Sequence, residues 1–142
     1  RLGEQPKVAL VSHSNFGSSN RPTARKMRQA VDLIRDLDPE LQVDGEMHAD
    51  AALSQEMRDK LVTDSPLTGS ANLLVMPSLD AANISYNLVR MLAEGLAVGP
   101  MLLGMNQPAH ILAEGVTARG IINMTAVAVV EAQGETDGEL PL

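Results

Sequence analysis

Residues 72–97 read NLLVMPSLDAANISYNLVRMLAEGLA, and the two parts of this stretch follow different periodicities. Asn72 to Met76 is a short apolar run closed by Pro77 and Ser78, the pattern of a strand buried on both faces. Beyond it Leu79, Ala82, Tyr86, Val89 and Ala93 recur at three- and four-residue steps, which predicts a helix; Ile84, Leu88, Met91 and Leu92 fill much of its remaining girth. A helix apolar on so many sides wants cover on more than one, so it is expected in the core and at an interface. Ser78 can cap its first turn through the hydroxyl, Asp80 suits the positive end of the helix dipole, and Gly95 is the expected stop.

The same order of strand, loop and helix recurs upstream. KVALVS, residues 7–12, is a β-branched apolar strand, HSNFGSSN, residues 13–20, is a loop, and Pro22 opens a helix to about Leu37 with Met27, Ala30, Val31, Ile34 and Leu37 on one face. A chain that starts so abruptly on a buried strand is expected to be preceded by more polypeptide. Asp38-Pro39 ends the helix, because the residue before proline is pushed out of the helical region. QVDGEMH, residues 42–48, is a weaker strand, after which Asp50 is expected to cap one helix with Leu53, Met57 and Leu61 stacked along it. Thr117 can cap a final segment, ARGIINMTAVAVVEAQ, whose length favours helix over its β-branched content. Residues 134–142 form an acidic tail expected to fray. Strands alternating with helices predict an α/β domain with a mainly parallel sheet and right-handed crossovers.

With 142 residues the chain is one domain's worth and can bury roughly two-thirds of its unfolded surface. It has no cysteine, which excludes a disulfide scaffold and thiolate metal sites and makes the cytoplasm the default expectation. No apolar run approaches the roughly 20 residues of a membrane span. A net charge of −7 argues against extended contact with nucleic acid or anionic membrane, so an anionic ligand must be met by a local basic cluster.

Ligands of open α/β sheets collect at the carboxyl ends of strands, and the 13–20 loop is the richest candidate there. Ser12, Ser14, Asn15, Ser18 and Ser19 offer hydroxyl and amide groups, and Gly17 lets backbone N–H groups approach an anion just before a helix N-terminus. Arg21, Arg25, Lys26 and Arg28 follow, four of eleven basic residues, and a phosphate-bearing ligand fits the arrangement. The competing reading is a solvated helix face with Arg28 and Asp32 paired at i,i+4. His13, His48 and His110 fall near strand ends, but their spacing does not resemble a metal motif. A Ser14/His48/Asp50 hydrolase has no nucleophile elbow to support it.

VDGEM at 43–47, PSLDAANISY at 77–86 and GPMLLG at 99–104 with Pro108 resemble the phosphate acetyltransferase family, in order, from about Lys7 to Gln133. Within it, SNFGSS, KMRQA, DGEMH and GSAN resemble the C-terminal domain of large, fused bacterial NADP-dependent malic enzymes, so residues 1–133 are expected to be the C-terminal half of such a domain within a longer chain. The resemblance implies an isocitrate dehydrogenase-like architecture, a cleft for coenzyme A and acetyl phosphate, and a homo-oligomer. NADP and a divalent metal would belong to the upstream oxidoreductase part, with none needed here.

In active members a Ser-Arg pair and, a turn later, an Asp thought to deprotonate the coenzyme A thiol follow the proline. Here Ala113, Glu114 and Gly120 occupy those positions. Without the base, and with an anion where a cation should hold phosphate, transfer is expected to be lost while binding survives. The leading expectation is a regulatory, oligomerising domain that senses acetyl-CoA or a related phosphorylated metabolite; the alternative is an active phosphate acetyl/butyryltransferase, and the plainest reading is an assembly domain.

Overall fold

The computed structural model describes residues 3–93, 97–112 and 114–134. The chain divides into two compact units, one ending at Val89 and the other beginning at Arg90. In the first, three parallel strands, β1 (Lys7–Val11), β2 (Gln42–Met47) and β3 (Leu73–Val75), form a sheet in the order β2-β1-β3. β1 is central: Val8 pairs with Val43 on one side and with Leu73 on the other.

Helix α1 (Pro22–Leu37) connects β1 to β2, and two short helices, α2 (Ala49–Leu53) and α3 (Gln55–Asp59), lie between β2 and β3. Alternation along β1 sends side chains to both faces. Val8 and Leu10 pack with Met27 and Val31 of α1 and with Val43, while Ala9 packs with Met47, Ala51, Ala52, Leu67 and Ala71. Because the chain leaves β1 toward β2 and returns on the far side as β3, the loops after β1 and β3 flank the point where the strand order reverses, the usual ligand position in such sheets.

Three local expectations are corrected. The helix expected from Asp50 through Leu61 breaks at Ser54, whose φ of −122° and ψ of 112° are extended, and Ser54 then caps α3 by accepting from the Met57 N–H at 3.3 Å. His48, not Asp50, holds the N-cap position of α2, and Asp50 lies in its first turn. The break leaves Leu53, Met57 and Leu61 at least 42% exposed, and the buried residues are Ala51, Ala52 and Arg58. Leu37, expected on the packed face of α1, is exposed at the helix end.

The deciding stretch forms its elements but not its expected burial. β3 is followed by α4 (Leu79–Leu92), and the Ser78 hydroxyl accepts from the Ala81 N–H at 3.2 Å as the cap reading requires. Yet β3 is an edge strand with Leu73 49% exposed, and α4 has no buried residue. Among the described residues nothing pairs with the outer edge of β3, so the apolar pattern exceeds the cover available. Gly95 lies outside the described residues.

In the second unit α5 (Ala118–Gly134) is helical, with the Thr117 hydroxyl accepting from the Gly120 N–H at 3.1 Å. None of the described helices is long and apolar enough to cross a membrane.

Candidate functional site

The loop after β1 closes around a carboxylate. Glu46, fully buried near the end of β2, accepts the Ser14 hydroxyl at 2.7 Å and the Gly17 N–H at 2.9 Å on Oε1, and pairs through Oε2 with Arg28 Nε at 3.0 Å. Its main-chain oxygen takes the Phe16 N–H at 2.7 Å. Burial pushes the Glu46 carboxyl up, but the hydrogen bonds from Ser14, Gly17 and its own backbone, with the charge of Arg28, outweigh burial and hold it below its ordinary value. Gly17 has a φ of +89°, and a β-carbon there would meet Arg28 Nη1 at 3.3 Å, so a glycine suits both the turn and the arginine beside it.

Second contacts tighten the loop. Ser14 Oγ accepts the Ser19 N–H at 2.9 Å and lies 3.1 Å from Ser18 Oγ, which accepts the Asn15 N–H at 3.0 Å. Arg28 Nη2 donates to the Ser19 carbonyl at 2.8 Å, and Asn15 Oδ1 accepts the His48 N–H at 2.7 Å. His13 Nε2 lies 3.2 Å from Ser19 Oγ.

The nine residues read as ligand-binding therefore fall into groups. Ser14, Gly17 and Arg28 converge on Glu46, so Arg28 pairs with Glu46 and not with Asp32. Asn15, Ser18 and Ser19 bond within the loop or to His48. Ser12 is buried, and its hydroxyl has no partner among the described residues. Arg21 stands at the N-cap of α1 without a side-chain cap bond, Pro22 follows it, and the first turn has no acidic residue. Arg21 and Arg25 are exposed, with no side-chain partner among the described residues, while Lys26 donates to the Pro77 carbonyl in the loop after β3.

Beside Glu46 an open cleft of about 310 Å³ is lined by Phe16, Arg28, Asp32, Arg35, Asp44 and Asp64. Arg35 pairs with Asp44 at 2.8 Å, and Asp44 also accepts the Ser65 hydroxyl at 2.5 Å. With both arginines paired and further acids on its wall, this cleft does not suit a phosphate.

The histidines and Ser14 form no catalytic group together, since Ser14 donates to Glu46. Among the described residues no cluster of three or more His, Asp or Glu is placed to hold a metal ion. In the second unit the His110 side chain is 4% exposed; its Nδ1 accepts the Leu102 N–H at 3.2 Å and its Nε2 meets Glu131 Oε2 at 3.0 Å. Glu114 is exposed and Gly120 lies in the first turn of α5; Ala113 lies outside the described residues.

Sequence reading missed Glu46. The signal is present in hindsight of its chemistry: Asp44 and Glu46 share one parity of a buried strand, and Arg28 and Arg35 stand two turns apart on one face of the neighbouring helix. Acids in a buried strand demand such partners.

Residues 1–129 match the family described as phosphate acetyl/butaryl transferase. The chain is similar to the NADP-dependent malic enzyme of Escherichia coli, 56% identical over 134 residues, which are 94% of this chain and 18% of that protein. It is 55% identical to the NAD-dependent malic enzyme of Rhizobium meliloti, over 93% of this chain and 17% of that one. The EutD phosphotransacetylase from Staphylococcus aureus superposes with a TM-score of 0.85 at 34% identity, covering 92% of this chain and 41% of that structure. The chain thus spans less than a fifth of the curated malic enzymes it matches.

Proposed function

The chain belongs to the phosphate acetyl/butaryl transferase family, and from that membership we propose that it is a regulatory region of a malic enzyme that binds acetyl-CoA and supports oligomerisation without transferring acetyl groups itself. On this reading residues 1–133 are the C-terminal half of a phosphate acetyltransferase-like domain in a cytoplasmic protein. Oxidation and decarboxylation of malate to pyruvate, with a nicotinamide cofactor and a divalent metal, belong to the rest of that protein. The relatives include both NADP- and NAD-dependent malic enzymes.

The observation that carries the reading is that Gly120 stands at the position where active members supply the base. Gly120 has no side chain to take the thiol proton, and its N–H is tied to Thr117. His110, a titratable group upstream of Gly120, has an enclosed side chain with both ring nitrogens engaged, so it cannot accept a proton from a substrate without losing a partner. Glu114, where a cation is expected, repels phosphate.

Binding needs none of these groups. The exposed guanidiniums of Arg21 and Arg25, the uncapped start of α1 and the loop beside them support a phosphorylated ligand through ground-state contacts. The test is thioester formation from acetyl phosphate and coenzyme A by the intact protein. No turnover approaching about 1 per second is expected, that being the low end of ordinary enzyme rates. Turnover at or above it overturns the regulatory reading in favour of an active transferase.

A further inference from the structure

A loop rich in serine and glycine at a helix N-terminus invites an external anion, but here one is already supplied by the protein. Glu46 receives the Ser14 hydroxyl, the Gly17 N–H and the Arg28 guanidinium at 2.7, 2.9 and 3.0 Å. Its side chain is fully buried, so a second anion brought against the same three donors would face an unscreened negative charge.

We infer that Glu46 is the positioning residue of the 13–20 loop: its carboxylate fixes the loop and Arg28 in place and thereby withdraws Ser14, Gly17 and Arg28 from direct contact with ligand. The inference rests on the acyl-CoA reading of this site for the identity of the ligand, and on the geometry alone for the latch. It reverses the sequence-based expectation for Arg28, whose charge is matched by Glu46 and whose Nη2 holds the Ser19 carbonyl at 2.8 Å. The loop then depends on one side chain that never meets the ligand. Ser14 relays the effect to Ser19 through the bond its hydroxyl accepts at 2.9 Å.

Calorimetric titration of acetyl-CoA into the intact protein separates this from a ligand-contacting arginine. Glu46→Gln should weaken binding about tenfold or more, because the neutral amide has one acceptor oxygen where Ser14 and Gly17 use one carboxylate oxygen and Arg28 the other, and the charge assistance is lost. Arg28→Ala should weaken it in the native background yet add no further loss to Glu46→Gln. Equal losses from Arg28→Ala in both backgrounds, or native affinity in Glu46→Gln, overturn the inference. Should Glu46→Gln not fold, Ser14→Ala takes its place, with a loss of about threefold or more expected and unchanged affinity overturning the proposal.

Should the native protein not bind acetyl-CoA, the acyl-CoA reading fails and amide hydrogen exchange decides the latch. Faster exchange at Gly17 and Ser19 in Glu46→Gln, with the β1 amides unchanged, supports it, and unchanged loop exchange overturns it. A carboxylate that merely filled the core would not confine its effect to those two amides.

Discussion

Replacing Arg58 by methionine removes a fully buried guanidinium that donates to the carbonyls of Ala51, Leu67 and Gly69 at 2.9, 2.9 and 2.7 Å. Those oxygens come from two pieces of chain, the end of α2 and the segment that leads into β3, so the side chain ties both together. Two effects oppose each other. Methionine relieves the desolvation of a cation held by carbonyls alone and removes an unpartnered buried Nε, together several kcal/mol in its favour. It also breaks three short charge-assisted bonds of about 1.5–3 kcal/mol each and leaves buried carbonyl oxygens without donors. The second effect is the larger, because each lost bond also orphans an acceptor, and a net loss of about 2–4 kcal/mol is expected. Lysine at 58 keeps the charge but reaches carbonyls on one side only, so it should lose a similar amount. Urea unfolding with unchanged m-values reads both variants directly. A methionine variant as stable as the native protein would show that burying the charge costs as much as the clamp contributes. A lysine variant far worse than methionine would say the same.

Gly45→Ala should cost about 3 kcal/mol or more, since φ is +140° and the new methyl would lie 2.6 Å from the Leu10 carbonyl oxygen; a thermal melt within a degree of the native protein would refute this. Because the Glu46 carboxyl is held below its ordinary value of 4.5, its contribution is complete above that pH and fades as pH falls through the folded-state value. Glu46→Gln should therefore lose stability at neutral pH and show a shallower decline on acidification, read from urea midpoints across the acid range. Sedimentation should find the intact protein oligomeric, and Leu88→Asp with Leu92→Asp on the exposed face of α4 should shift it toward smaller species; a native monomer refutes the assembly reading.

How much of this was legible in the sequence depended on whether the signal was local. β1, α1 and β2 could be placed because Val8 to Val11 is uniformly apolar, Pro22 marks a first helical turn and Asp38-Pro39 marks its end. The Ser78 and Thr117 caps were readable for the same reason, since a capping hydroxyl acts within three residues. The break at Ser54 was not, because the end of α2 is satisfied by Arg58 from the next helix, a contact that periodicity cannot announce. Nor was the role of Glu46, whose partners lie 18 to 32 residues away. The candidate loop could be named from composition, but which groups in it face one another is set by the strand crossing beneath it.

β3 shapes how the protein behaves in a concentrated solution as well as how it folds. Among the described residues its outer edge has no pairing strand, and between exposed Leu73 and Val75 the strand carries no charged side chain to discourage a neighbouring molecule from adding itself to the sheet. The safeguards are brevity, three residues, and Pro77 close behind, which cannot extend a ladder. A lysine at position 73 would place a gatekeeper charge on that edge without touching the Glu46 loop. The strand that sets the sheet order is therefore also, among the described residues, the edge to which an added strand would pair.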